Sequence, residues 1–210
     1  MNKKIVFVDI CDTLYPYNTT IGFIMFVCEI KNIRISCVYK NKIIKGINSL
    51  LYKLFKVDLI RKVFVRKLKG IRLKELDILA KEYVNKLNEN KSIILLVNKY
   101  KSEGYEIQFH SASLEPVVSA VSEKFKASKY SASLLSSVQG ICSGKIIFDN
   151  LGNKYSSILE EKNKAERCVF ITDNKSDSNC VEICDEFIAI IPKGKSKKFW
   201  ENKNVKVIKL

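Results

Sequence analysis

Residues able to do chemistry recur in this chain at the ends of apolar runs. Ile5-Val6-Phe7-Val8 leads into Asp9 and Asp12, Glu106–His110 into Ser111 and Ser113, and Cys168–Ile171 into Asp173 and Asp177. Lys154 follows the run Ile141–Phe148 and the turn sequence Asn150-Leu151-Gly152-Asn153. Carboxylates gathered with a lysine and a hydroxyl suit a hard cation and a phosphate, because Mg²⁺ takes oxygen ligands and keeps waters and a substrate phosphate in its shell. An aspartate can attack phosphorus and form an aspartyl-phosphate. Metal, lysine, hydroxyl and backbone N–H groups are what stabilise a phosphoryl group in transfer. Polar ends on four separate segments argue for one composite site.

The elements that must position these residues follow from periodicity. Lys4–Asp9 reads as a buried strand without a polar break. From Ser92 onward helix and strand alternate. A helix over Ile93–Tyr100 stops at Gly104, and a strand spans Glu106–His110. Ser113 is expected to cap a helix through Val121, with Pro116 in its first turn. Leu134–Val138 is a third strand, and Ile141–Phe148 with the turn after it looks like a hairpin. Ser156–Lys162 is a helix, Cys168–Ile171 a strand, Ser176–Cys184 a helix and Phe187–Ile191 a strand. Phe199 and Trp200 lie on a short helix, and Val205–Ile208 closes the chain as a strand. This alternation predicts an α/β fold, a Rossmann-like doubly wound parallel sheet covered on both faces. Ligands in such sheets bind at the carboxyl ends of the strands, where the polar residues fall.

Residues 15–90 break the alternation. Ile21, Ile24, Met25 and Cys28 suit an amphipathic helix, as do Ile47, Leu50, Leu51 and Leu54, and most clearly Leu73, Leu76, Leu79, Ala80, Tyr83, Val84 and Leu87. The expected division is an α/β core of 1–14 and 91–210 with a small helical cap, 15–90, inserted after the first strand.

The chain has 210 residues, with 37 Lys and Arg against 22 Asp and Glu, a formal net charge of +15. That length holds one core with a modest insertion, and 47% hydrophobic residues exclude a disordered chain. The basic excess attracts anionic substrates or a phosphate-bearing surface. No nucleic-acid motif accompanies the short clusters Lys40–Lys45 and Lys193–Lys198, so sequence-specific nucleic-acid binding is not expected. The longest uncharged stretch, Thr13–Cys28, is too short for a transmembrane helix, and Asp9 and Asp12 interrupt any secretory signal. The expectation is a cytoplasmic protein with, at most, peripheral membrane contact; its oligomeric state is left open. Seven cysteines, Cys11, Cys28, Cys37, Cys142, Cys168, Cys180 and Cys184, read as small apolar residues in a reducing compartment. His110, the sole histidine, alternates away from Ser111 and reads as packed or hydrogen-bonded.

Four motifs in order carry a family resemblance. They are Phe7-Val8-Asp9-Ile10-Cys11-Asp12-Thr13-Leu14, Phe109-His110-Ser111-Ala112-Ser113, Leu151-Gly152-Asn153-Lys154, and Phe170-Ile171-Thr172-Asp173-Asn174-Lys175-Ser176-Asp177. Over nearly its whole length the chain resembles the haloacid-dehalogenase-like hydrolase superfamily, in the branch similar to phosphoserine phosphatase. In that branch a small helical cap closes over the site and selects the substrate, as lids do. The resemblance implies that Asp9 is the nucleophile and a Mg²⁺ ligand, and that Ser111 binds the transferring phosphoryl group. It implies that Lys154 neutralises nucleophile and phosphoryl charge, that Asp173 is a Mg²⁺ ligand, and that Asp177 orients metal waters. Bland readings stand beside these: Asp173 as a helix cap, Asp177 as a first-turn carboxylate, Lys154 as one solvated lysine among many.

One position departs from the pattern. Cys11 stands where the family's phosphatases carry an aspartate as general acid/base. Its backbone carbonyl can still bind metal, but its thiol cannot act as a carboxylic acid. Asp12 falls where the family often has glycine and takes over only if the loop is remodelled. The expectation is a Mg²⁺-dependent phosphohydrolase acting through an aspartyl-phosphate on a small or lipid-linked phosphorylated substrate. The alternatives are a catalytically weakened relative that binds a phosphorylated ligand or partner protein, and a hydrolase of carbon–halogen or carbon–phosphorus bonds. Arg61, Arg66 and Arg72 in the insertion are candidates to meet an anionic substrate tail, but pairing at the surface explains them equally well.

Overall fold

A computed structural model of the chain describes residues 3–35, 41–55 and 58–210. Cys37 and Lys40 lie outside the described residues. The seven strands are β1 (Lys4–Val8), β2 (Glu106–Leu114), β3 (Lys129–Val138), β4 (Ile141–Phe148), β5 (Arg167–Thr172), β6 (Glu186–Ile191) and β7 (Lys206–Lys209). They form one sheet in the order β4-β3-β2-β1-β5-β6-β7. All pairings are parallel except β3 with β4. The helices are α1 (Thr19–Ile30), α2 (Lys42–Phe55), α3 (Leu59–Arg66), α4 (Leu73–Lys86), α5 (Lys91–Ser102), α6 (Glu115–Phe125) and α7 (Lys154–Lys162).

The central strands are buried on both faces, which is why they read as unbroken apolar runs. Alternate residues supply two cores. Val6, Val8, Val169 and Ile171 pack with Phe23, Val84, Val97 and Val117 from α1, α4, α5 and α6. Ile5, Phe7, Cys168 and Phe170 pack on the other side with Ile158 of α7, Cys180 and Trp200. Register then sets the site. Val8 of β1 lies level with Phe109 of β2 and Ile171 of β5, and the Asp9 amide donates to the Ile171 carbonyl at 2.9 Å. The residues just past these strand ends must therefore share one level.

Several expectations are corrected. The hairpin is β3 with β4, turning at Gln139-Gly140, not β4 with the Asn150–Asn153 segment. Both turn residues have positive φ, 51° and 76°, the signature of a two-residue turn whose twist matches the strands. Ser113 is no helix cap. It lies in β2, and Leu114 precedes α6 without a side-chain cap. The expected helix Ser176–Cys184 is a 3₁₀ turn over Lys175–Cys180. Phe199 and Trp200 sit in a turn instead of a helix, with Trp200 buried 5.5 Å from Phe187. Helix α3 falls in a stretch for which no apolar face was identified.

Helices α1–α4 lie between β1 and α5, and they are tied to the sheet. After α3 the chain runs alongside the start of β4: Gly70 N donates to the Cys142 carbonyl (2.9 Å) and Cys142 N to the Ile71 carbonyl (2.8 Å). Gly144 of β4, at φ +75°, faces the end of α3 so closely that a Cβ there would lie 3.1 Å from Arg66 Cα. No helix among the described residues is long and apolar enough to cross a membrane. The six described cysteines are free thiols. Cys28, Cys142, Cys168 and Cys180 are buried, and Cys11 and Cys184 are partly so.

Candidate active site

The last residue of β1 hands Asp9 to the sheet's carboxyl edge, where it is buried. One carboxylate oxygen, Oδ1, accepts from the Ile10 amide at 2.7 Å. The other, Oδ2, accepts from Lys154 Nζ in a buried ion pair. Lys154, the first residue of α7, also donates to Asp177 Oδ2 at 2.7 Å. The ammonium is 1% exposed and the two carboxylates 4% and 1%. Thr172, at the end of β5, donates to the same Asp177 oxygen at 2.8 Å. Burial opposes the lysine's charge, yet the carboxylates of Asp177 and Asp9 outweigh it and hold its pKa up. Burial pushes the Asp177 carboxyl up, against the lysine's pull.

Asp173 follows Thr172 and is linked back to the first loop. Its backbone amide donates to Thr13 Oγ1 (2.9 Å), and that hydroxyl donates to Asp173 Oδ1 (3.1 Å). Burial, then the charges of Asp9 and Asp12, push its pKa up to about 8. This crowding of carboxylates is what a divalent cation relieves, and the donors are hard oxygens. No group of three or more His, Cys, Asp or Glu side chains gathers to hold a metal among the described residues. The carboxylates of Asp9 and Asp173, on the lining of one cavity, are hard oxygen donors of the kind that suits Mg²⁺ with waters and a phosphate.

Asp9, Cys11, Asp12 and Asp173 line one cavity of about 410 Å³, together with Ala112 and residues of the insertion. Ser111, Lys154 and Asp177 are not on its lining. Ser111 is fully buried, its hydroxyl 3.2 Å from both the oxygen and the amide of Ser113. Ser113 Oγ lies 2.6 Å from Thr19 Oγ1 and 3.1 Å from Cys11 Sγ. The Cys11 thiol thus sits in a hydroxyl network with Ser113 and Thr19, and burial followed by the Asp9 charge pushes its pKa up. Asp12 has φ 51°, the left-handed conformation that favours glycine and that aspartate tolerates. Burial, then Asp9, raises its carboxyl as well.

His110 points to the far side of the sheet, as its alternation predicted. It lies 3.1 Å from Ser157 Oγ and 3.3 Å from Gln108 Oε1, edge-on to Phe7. Burial, then Lys154, lowers its pKa to about 3, so it is neutral.

Of the three arginines that the sequence left between an anionic tail and surface pairing, the structure brings Arg61 to the cavity. This α3 side chain is 6% exposed and lines the cavity. It donates to Asp149 Oδ1 at 2.6 Å, to Ser133 Oγ at 2.8 Å and to the Ala112 carbonyl, while its buried Nε has no partner among the described residues. Arg66 and Arg72 are exposed. Thr13 and Thr172 were legible as hydroxyls flanking aspartates. Thr19 carried no signal, because only the return of α1 over the β1 loop brings it near.

The fold as a whole is similar to several solved structures. A protein of unknown function from Bordetella pertussis Tohama I superposes with TM-score 0.77 at 14% identity, covering 99% of each chain. A phospho-aspartyl intermediate analogue of phosphoserine phosphatase gives 0.65 at 16%, covering 99% of this chain and 94% of that one. A HAD family hydrolase from Salmonella enterica subsp. enterica serovar Typhi gives 0.64 at 12%, covering 98% and 67%. The fold is that of the haloacid-dehalogenase-like hydrolases. Within it the chain has the phosphoserine-phosphatase-like form. No protein-family model matches the chain, and no curated protein matches it in sequence. In this haloacid-dehalogenase-like fold all four motif segments meet at one edge of the sheet.

Proposed function

We propose that the protein is a Mg²⁺-dependent phosphohydrolase that forms an aspartyl-phosphate on Asp9, acting on a small or lipid-linked phosphorylated substrate. The carrying observation is the buried contact of Lys154 with both Asp9 and Asp177, beside a cavity that presents Asp173. A buried lysine between two carboxylates is costly as a structural device, and its use is to balance a charge that changes during reaction. The likeness in fold to phosphoserine phosphatases supports the reading.

In this reading Asp9 attacks phosphorus, and water later releases phosphate from the acyl phosphate. Lys154 stays charged throughout and offsets the added phosphoryl charge. Asp177 and Thr172 hold the lysine in place. Asp9, Asp173 and the backbone carbonyl of Cys11 are the groups that would hold Mg²⁺, and Asp177 acts behind them. The metal, when bound, supplies charge stabilisation to the phosphoryl oxygens. Residues 15–90 act as the cap, with Arg61 joining it to the core. Ser111 lies fully buried in β2, next to Ala112, which lines the cavity.

The acid is the weak member. The Cys11 thiol is held protonated, and a thiol is a poor donor to a leaving oxygen. Substrates with good leaving groups, aryl or acyl phosphates, should therefore turn over best. The engagement of Cys11 by Thr19 and Ser113 also favours the second reading, a weakened relative that binds a phosphorylated ligand. A screen of phosphorylated metabolites with and without Mg²⁺ tests the first reading, with Asp9→Asn as control. Turnover should need Mg²⁺ and fall to background in the variant. No turnover of any phosphate ester by the wild type would instead support the binding reading.

A further inference from the structure

Helix α2 lies across the cavity with one side turned inward and an aliphatic row turned out. Asn48 lines the cavity with Asp9 and Asp173, and its side chain donates to Asp58 Oδ1 at 3.0 Å and accepts from the Ile60 amide at 3.0 Å. Tyr52 reaches the loop before Lys154, where a Cβ on Gly152 would lie 3.5 Å from its hydroxyl. On the opposite side, Ile43, Ile47, Leu50 and Leu54 follow one another at i, i+4, i+7 and i+11. They are 71%, 53%, 57% and 62% exposed. The spacing keeps all four within one narrow stripe. This is the helix the sequence predicted as amphipathic, but its apolar face is on the outside.

The charge around that stripe is lopsided. Residues 31–72 hold thirteen Lys and Arg against one acidic residue, Asp58, so this segment carries +12 of the chain's +15. Lys42, Lys45 and Lys53 punctuate α2 itself. A second cavity of about 460 Å³ adjoins the first, sharing Asp58 and Arg61, and is lined by Lys62, Arg66, Lys145 and Ile147. Ile147 is 73% exposed.

We infer that the outer face of α2 and its basic segment dock on an anionic lipid bilayer, which brings phosphorylated headgroups near the cavity on the helix's other side. A helix with an aliphatic stripe in a lysine-rich segment lies in the interfacial plane of a membrane, its apolar side among the acyl chains and the segment's cations attracted to anionic lipids. Charge chooses this occupant over a second copy, which would set two segments of +12 against each other. The aliphatic stripe chooses it over a nucleic acid, whose backbone offers nothing to bury isoleucine and leucine against. Docking rests on this surface alone. Only the choice of headgroup phosphates as substrate rests on the phosphohydrolase reading.

Vesicle co-sedimentation tests the inference, using the full chain and the double variant Ile47→Asp/Leu50→Asp. The wild type should pellet with phosphatidylglycerol vesicles and not with phosphatidylcholine vesicles. The variant should lose bound fraction by about tenfold or more. Its melting temperature and its Mg²⁺-dependent turnover of a soluble aryl phosphate should stay unchanged. Equal pelleting of both proteins would overturn the inference, because charge alone would then suffice. So would a wild-type dimer that the substitutions split, or duplex DNA binding in place of vesicle binding. Absence of aryl phosphate turnover in both proteins, with vesicle binding intact, would sink the phosphohydrolase reading and leave the docking surface standing.

Discussion

Replacing Lys154 by methionine isolates what its ammonium does. The side chain stays unbranched and loses one atom, so the change is chiefly one of charge in a site where lysine and both partners are at most 4% exposed. Solvent screening is therefore weak, and the discount applied to surface pairs does not apply. Removing one member of a buried ion cluster leaves the others uncompensated, at a cost of about 3–5 kcal/mol. For a chain of this size that is a fall in melting temperature of roughly 6–20 °C. The deficit should depend on pH in a definite direction. Burial already raises Asp177, and without the lysine it should rise further. A group whose folded pKa is raised contributes stability below its unfolded pKa and loses it as pH rises. The variant's deficit should thus be largest in alkaline buffer and shrink towards about pH 5, near the carboxylates' unfolded range. Melting curves followed by circular dichroism, in chelator, measure this. Adding Asp177→Asn to Lys154→Met should recover part of the loss by removing one stranded charge. A Lys154→Met protein melting with the wild type across that pH range would refute the buried-cluster argument.

Cys11→Asp should raise alkyl phosphate turnover by more than aryl phosphate turnover, within the roughly 10²–10⁴-fold range of general acid catalysis. Loss of alkyl turnover in Asp12→Ala, with no gain in Cys11→Asp, would instead make Asp12 the acid. His110 is neutral and buried with its pKa lowered from 6.5 to about 3. Its stability contribution is complete above the unfolded value and is lost as pH falls towards the folded one, about 2 kcal/mol by pH 5. His110→Gln should flatten that part of the acid limb in equilibrium denaturation. Arg61→Lys gives up the fork that holds Asp149, Ser133 and the Ala112 carbonyl at once. It should increase proteolytic nicking of residues 31–72 while leaving the melting of the sheet nearly unchanged.

The chain order of strands, helices and motif residues was legible because each leaves a local mark. Buried parallel strands such as Ile5–Val8 and Cys168–Ile171 are unbroken apolar runs, and the polar residue that ends each run is where ligands meet such a sheet. The fold class, the helical insertion, and Asp9, Lys154, Asp173 and Asp177 as members of one site all follow from that. Local marks also misled. Ser113 before Pro116 looks like a helix cap, but β2 runs on to Leu114 through an irregularity in its pairing with β3, and the Ser113 amide donates to Ser111 Oγ. The Ser113 hydroxyl is thereby free to meet Cys11 and Thr19. Periodicity says that α2 has an apolar face and cannot say which way that face turns. Only tertiary structure decides that Ile47 and Leu50 look outward while Asn48 lines the cavity, because Asn48 is held by Asp58 and Ile60, at the start of another helix. Arg61 carries the same lesson. Its sequence neighbours are those of a solvated cation, and its burial comes from Asp149, Ala112 and Ser133, which lie 51 to 88 residues away. Spacing along the chain encodes which residues share an element. Which elements face each other, and so which charges are buried together, is set by packing between segments whose separation leaves no local trace.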